Sequence, residues 1–320
     1  MDIKKLSQDI QFETEKIIVG KADKIRLIIM AVLANGHVLL DDLPGVGKTT
    51  LVKAISLALG CRSGRIQFVP DMLPSDIIGM RIFNQKTGDF ELRQGPVMTN
   101  ILLADEINRA IPRTQSALLE AMEERQISID GEQFRLPEPF LVLATQNPVE
   151  SESTFRLPAA QMDRFLIRLS MGYPSVEEEV RMLALLGDEI PFDSVKSVTN
   201  AQELCAAQKE IAAVHVSDEV AQYIVALTDA TRKHHQLTMG ASPRATRGLY
   251  KAAKVWAAME GRDYVIPDDV KTLAHPVLEH RLLLDSGAKF SGYTAAKAVE
   301  DVLAKTEATP TAEKLINEKQ

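Results

Sequence analysis

The stretch Leu40-Asp-Asp-Leu-Pro-Gly-Val-Gly-Lys-Thr-Thr50 decides how this chain is read. A short apolar run, His37-Val-Leu-Leu40, leads into it, and apolar residues at helical spacing from Leu51 to Leu59 follow, ending at Gly60. Strand, glycine turn and helix in that order make a phosphate-binding loop. Backbone N–H groups between Pro44 and Thr49, through Gly45, Val46 and Gly47, would ring a β-phosphate at the positive end of the following helix, with Thr50 opening its first turn. Lys48 would reach the β- and γ-phosphates, and the Thr49 hydroxyl would ligate Mg²⁺. The general pattern G-x-x-x-x-G-K-[ST] has Gly where this chain has Asp42, and Pro44-Gly45 supplies the turn instead. Gly45-Val-Gly47 also half matches the dinucleotide fingerprint G-x-G-x-x-G, but Thr50 holds the third glycine position and that motif makes no use of Lys48.

Outward from the loop, helical and strand signals alternate. Ile10 to Leu33 is apolar at helical spacing, interrupted at Val19-Gly20-Lys21. Ile66 to Val69, Ile101 to Ala104 and Phe140 to Ala144 are strand-length apolar runs. Strands of continuous apolar character separated by helices predict a parallel sheet covered on both faces. The run from Ile101 ends in Asp105-Glu106. At the C-terminal end of a parallel strand these acids stand beside the phosphate loop. Asp105 can then help to hold Mg²⁺ and Glu106 can polarise an attacking water. The next apolar run ends in Ala144-Thr-Gln-Asn147, where a polar side chain could orient that water or bind the γ-phosphate.

After Gly172-Tyr-Pro174 the strand-like runs largely disappear. Val220, Ile224 and Leu227 form an amphipathic stripe, and Pro267-Asp-Asp269 reads as a helix start with acids near the positive dipole end. The expected organisation is an α/β nucleotide-binding core over residues 1–172, then a smaller all-helical domain over 173–320 with a polar, frayed tail from about Thr306. The 320 residues suit two domains at roughly 150 each. With 45% apolar and 25% charged residues, a sizeable core is affordable and wholesale disorder is ruled out. Net charge is −7, which argues against a dedicated duplex-DNA binder. Cys61 and Cys205 are the two cysteines, too few for a disulfide framework. A polar N-terminus shows no signal peptide, and no run reaches the ~20 apolar residues of a membrane span. The expectation is a cytoplasmic protein without direct membrane insertion.

Several longer stretches together resemble the MoxR-family AAA+ ATPases, of the branch with a hairpin inserted in helix 2 that also holds magnesium-chelatase subunits. They are Pro70 to Gly79, Ala104-Asp-Glu-Ile-Asn-Arg-Ala110, Thr114 to Met122, Ala144-Thr-Gln-Asn-Pro148, Leu157 to Phe165 and Ser242-Pro-Arg244-Ala. The resemblance implies a P-loop parallel-sheet AAA+ core followed by a helical lid, with ATP as substrate and Mg²⁺ beside it. It assigns Asn147 as sensor 1, Arg164 as an arginine finger reaching the neighbouring subunit, Arg244 as sensor 2 near the γ-phosphate, and Val19-Gly20 as the segment packing on adenine. Arg81 to Arg93 would form the helix-2 insert and Gln126 to Leu136 the hairpin before sensor 1. An arginine supplied in trans contributes about 10³- to 10⁵-fold in related hydrolases, which implies a closed homo-oligomeric ring, by family analogy a hexamer. It further implies a protein client, and a partner bearing a von Willebrand factor A domain as a separate chain.

Against that reading stands a nucleic-acid-stimulated motor or loader, because hairpins before sensor 1 contact DNA in related helicases. Here the segment from Glu124 to Glu132 is mixed in charge, without a basic cluster, so no nucleic acid is expected. A scaffold that binds ATP without turning it over would have no use for Glu106, Asn147 and Arg164. Ser286-Gly-Ala-Lys289 and Lys86-Thr-Gly88 match β-lactamase motifs in reversed order, and His275, Glu279 and His280 lack zinc-protease spacing. Those histidines, with His234 and His235, read as structural or solvated.

Overall fold

The computed structural model describes residues 1–41, 45–147, 155–186 and 190–308. Its backbone packing falls into two compact units, one of Lys5–Phe165 with Leu169–Gln208, the other of Met1–Lys4, Leu166–Arg168 and Lys209–Gln320. The change in sequence texture at residue 173 therefore does not coincide with the division in packing. The stretch from Leu169 to Gln208 stays with the first unit, because Val198 N donates to Ala58 O at 2.9 Å, Lys196 N to the Glu13 carboxylate at 2.7 Å and Gln208 Nε2 to Val32 O at 2.9 Å.

Two helices lead into the first unit, α1 (Ile3–Glu15) and α2 (Ala22–Leu33). They break at the predicted Val19-Gly20-Lys21, where Gly20 takes φ +75°. α2 buries Ile25, Ile28, Ile29 and Val32, the stripe of a core-facing helix. There follow β1 (His37–Asp41), α3 (Lys48–Ala58), β2 (Ser63–Gln67), α4 (Pro74–Ile78), β3 (Gly79–Asn84), β4 (Asp89–Gln94) and β5 (Ile101–Asp105). Next come α5 (Pro112–Glu124), β6 (Gln126–Ile129), β7 (Glu132–Arg135), β8 (Leu141–Gln146), α6 (Ala159–Met162), β9 (Phe165–Leu169), α7 (Val176–Leu186) and α8 (Ala201–Ile211). β3 pairs antiparallel with β4 and β6 with β7, the two hairpins expected at Arg81–Arg93 and Gln126–Leu136.

Five strands form one sheet in the order β2-β5-β8-β1-β9. The β2–β5, β5–β8 and β8–β1 pairs are parallel. β1, β5 and β8 are buried along their apolar length and emerge half-buried only at the last residue, respectively Asp41, Asp105 and Gln146. That pattern is why the sequence runs read as continuous rather than alternating: both faces are covered, and polar groups appear where the strands end. Register sets Gln67 opposite Asp105, Ala104 opposite Ala144, and Leu40 opposite Thr145, so the ends of β2, β5, β8 and β1 share one edge. β9 is a strand that the sequence reading passed over, since Arg168 interrupts its short apolar run.

In the second unit α9 (Asp218–Arg232) buries Val220, Ile224 and Leu227 as the stripe predicts. It is followed by β10 (Leu237–Met239), α10 (Pro243–Met259), α11 (Pro267–Leu278), β11 (Leu283–Leu284), α12 (Ser286–Phe290) and α13 (Ala295–Lys305). Side chains of Ser217, Ser242, Asp285 and Thr294 each accept from a first-turn N–H, capping four of these helices. Asp269 accepts from Ile266 N at 2.9 Å and pairs with Arg262, fixing the start of α11. β10 and β11 pair antiparallel in a small ladder whose strands are too short to give a periodic sequence signal. The tail beyond residue 308 lies outside the described residues. Among the described residues no helix is long and apolar enough to cross a membrane.

Candidate active site

The turn between β1 and α3 carries two glycines in the left-handed region, Gly45 at φ +84° and Gly47 at φ +79°. A side chain at either position would meet no atom of the described residues within 4 Å, and the left-handed backbone is what favours glycine there. Gly47 is the residue before α3, and among the described residues no side chain caps that helix. Lys48, Thr49 and Thr50 form its first turn, where N–H groups have no acceptor within the helix itself. Lys48 is buried with 8% exposure, Thr49 is exposed and Val46 and Thr50 are half-buried. A left-handed glycine turn feeding an uncapped helix N-terminus suits a phosphate, by backbone donors and dipole together. Asp42, Leu43 and Pro44 lie outside the described residues, and with them the expected role of Pro44.

Across the same sheet edge, β5 ends in the acid pair. Thr145 Oγ1 donates to Asp105 Oδ1 at 2.7 Å and accepts from Glu106 N at 2.8 Å. Asp105 Oδ2 pairs with Arg65 Nη2 at 2.8 Å. Glu106 takes φ +57°, and its Oε2 accepts from Gln67 Nε2 at 2.8 Å and lies 2.9 Å from Arg109 Nε. Arg65 also donates to Gln67 Oε1 at 2.8 Å, which closes a polar chain from the edge strand β2 to both acids. Arg65, Gln67, Arg109 and Thr145 were not assigned from sequence. The available signal was the alternation Arg65-Ile-Gln67-Phe68, which sends two polar side chains to one face of a strand.

Each carboxylate oxygen of Asp105 has more than one lone pair, so it keeps acceptor capacity beyond Thr145 and Arg65. The Asp105 oxygens and the exposed Thr49 hydroxyl are hard donors of the kind that suit Mg²⁺. Asn147, just past the end of β8, is buried with 6% exposure, and its carbonyl accepts from Asn108 Nδ2 at 3.2 Å. The fold therefore brings the glycine turn, Asp105, Glu106 and Asn147 to one edge of one unit.

Arg164 follows α6 and is half-buried, with Nη1 donating to Leu119 O at 2.6 Å. Val19 is buried beside Gly20, whose absent side chain makes room for the Glu178 carboxylate: a Cβ there would lie 1.9 Å from it. At the start of α7 the Glu178 carboxylate accepts from Ser175 N and the Ser175 hydroxyl accepts from Glu178 N, and Lys21 Nζ donates to Tyr173 O at 3.1 Å. Arg244 belongs to the second unit, exposed in the first turn of α10 behind the Ser242 cap. His275 Nδ1 and Glu279 Oε1 lie 2.7 Å apart on that unit, and His280 is buried.

Residues 37–167 match the ATPase family associated with various cellular activities (AAA), and residues 229–302 match an AAA lid domain. The protein YeaC of Bacillus subtilis is 48% identical over 288 residues, covering 90% of each chain. Chaperone MoxR1 of Mycobacterium tuberculosis is 45% identical over 282 residues, covering 85% of this chain and 74% of that one. A crystal structure of a Cytophaga hutchinsonii protein assigned as an ATPase superposes with a TM-score of 0.91 at 36% identity, covering 96% of both chains.

Proposed function

The chain belongs to the MoxR family of AAA+ ATPases, and on that premise we propose that it hydrolyses ATP in order to remodel, mature or activate a partner protein complex. The observation that carries the reading is the meeting of the Gly45–Thr50 turn with Asp105 and Glu106 at one sheet edge. The backbone donors of the turn and Lys48 bind the triphosphate. Thr49 and Asp105 would hold Mg²⁺, which would supply charge neutralisation at the phosphates. Glu106 orients and polarises the attacking water, and Asn147 fixes its position against the γ-phosphate. Val19 and Gly20 pack on the adenine.

Arg164 supplies the trans cation to a neighbouring site and Arg244 the lid cation, completing charge stabilisation in the transition state. A finger passed from each subunit to the next generates a closed ring, and we take it to be a hexamer. The chaperone name of the MoxR1 relative supports a protein client, reached here with a separate von Willebrand factor A domain partner. A soluble cytoplasmic setting fits these roles.

Phosphate release measured on wild type and Glu106→Gln tests the reading. The variant is expected to bind ATP and to lose steady-state turnover by roughly 100-fold or more. Turnover at the wild-type rate would remove Glu106 from its role. The wild-type rate per subunit should also fall on dilution into the monomer range, and a constant rate there would contradict a finger in trans.

A further inference from the structure

We propose that Thr145 is the positioning residue for both acids, setting Glu106 through its backbone and Asp105 through its carboxylate; this rests on the ATPase reading above. Its side chain is fully buried in β8, with β5 on one side and β1 on the other. A single hydroxyl carries one donor and two acceptor lone pairs, so it can serve two partners at once. Here it does so, donating to Asp105 Oδ1 at 2.7 Å while accepting from Glu106 N at 2.8 Å.

The second bond matters because of the backbone it holds. Glu106 has φ +57°, the left-handed region that a long L side chain seldom adopts, and such a conformation persists only when neighbours over-determine it. Gln67 and Arg109 hold the Glu106 carboxylate from the partly exposed edge. Thr145 instead holds its amide from the buried side, and so sets the direction in which the side chain leaves the strand. Losing that hydroxyl frees the backbone of Glu106 and removes one donor from Asp105. The Gly45–Thr50 turn, built from its own backbone, is untouched. The consequence falls on turnover rather than on nucleotide binding.

Thr145→Val, Thr145→Ala and Thr145→Ser, assayed beside Glu106→Gln, test this. Val keeps the shape without the hydroxyl, and Ser keeps the hydroxyl without the methyl. The Val and Ala variants should lose roughly 10–100-fold in kcat through misplacement of the acids, with affinity for a fluorescent ATP analogue within about threefold of wild type. The Ser variant should recover most of the rate. Ala, which cannot overpack the strand, carries the comparison should Val fail to fold, and a melting curve on each variant separates lost structure from lost chemistry. A wild-type kcat in Val or Ala, or a Ser variant as slow as Val, overturns the proposal while Glu106→Gln stays inactive. An active Glu106→Gln would overturn the role of Glu106 and this proposal together.

Discussion

The glycine turn and the acid pair meet at one edge of one sheet, yet they are built by different rules. Between Gly45 and Thr50 the conformation is local: two left-handed glycines lead directly into a helix whose first N–H groups are the proposed phosphate donors. Asp105 and Glu106 are placed by residues far along the chain, Arg65 and Gln67 on β2 and Thr145 on β8, with Arg109 the near neighbour. Binding a phosphate uses backbone donors that a short stretch can aim by itself. Placing a carboxylate for chemistry uses side chains that only the assembled sheet brings together.

Breaking the local half should have the largest effect. Lys48→Ala removes the cation at the phosphates, and affinity for a fluorescent ATP analogue should fall by about 100-fold, or ~2.7 kcal/mol. Unchanged affinity in that titration would detach the turn from nucleotide binding. Gly47→Ala probes the same turn more gently. There is space for the methyl, so the cost is the left-handed backbone, about 1–2 kcal/mol. Roughly tenfold weaker binding is expected as the N–H groups shift, against wild-type binding if the turn tolerates the strain elsewhere.

The distributed half should respond less to any one change at its rim. Arg65 is 51% exposed, and an exposed ion pair contributes little, about 0–1 kcal/mol. Arg65→Gln should therefore change the Mg²⁺ concentration for half-maximal ATPase by only about two- to threefold, lowering it as a competing cation leaves Asp105. A shift of tenfold or more would mean that Arg65 belongs to the metal site itself.

The smallest expected effect lies in the second unit. Burial, with His235 and Lys305 adding to it against the pull of Asp301, holds His234 below its ordinary value of 6.5. Its Nδ1 accepts from Gln236 N at 3.3 Å, and its ring stacks on His235 and on Tyr293. Tyr293 donates to Asp301 and is itself pushed up to about 12, chiefly by burial, while Asp301 also faces Lys297 and Lys305. A depressed histidine contributes stability above 6.5 that is lost as pH falls through the folded value, because the unfolded chain takes the proton first. Between about pH 7.5 and 5.5 the melting temperature should drop by a few degrees, and His234→Gln should flatten that slope. Equal slopes in the two proteins would contradict the assignment.

What could be read in advance follows the same contrast. The turn, Asp105, Glu106 and Asn147 were legible because each ends an apolar run, and the structure has those runs emerging at one edge. The partners of the acids were not, since a polar residue on a strand becomes informative only when its register with a distant strand is known, as with Gln67 opposite Asp105. β9 was hidden by Arg168, and the β10–β11 ladder by its brevity. The place of residues 169–208 within the first unit depends on hydrogen bonds to backbone carbonyls of α2 and α3, which composition does not record.

A density map of the Glu106→Gln form with ATP and Mg²⁺ is the most direct test of the central claim. The account predicts the β-phosphate within hydrogen-bond distance of the backbone N–H groups from Gly45 to Thr49, Lys48 on the phosphates, and the metal between Thr49 and Asp105. Nucleotide seated elsewhere, or a metal away from Asp105, would contradict it.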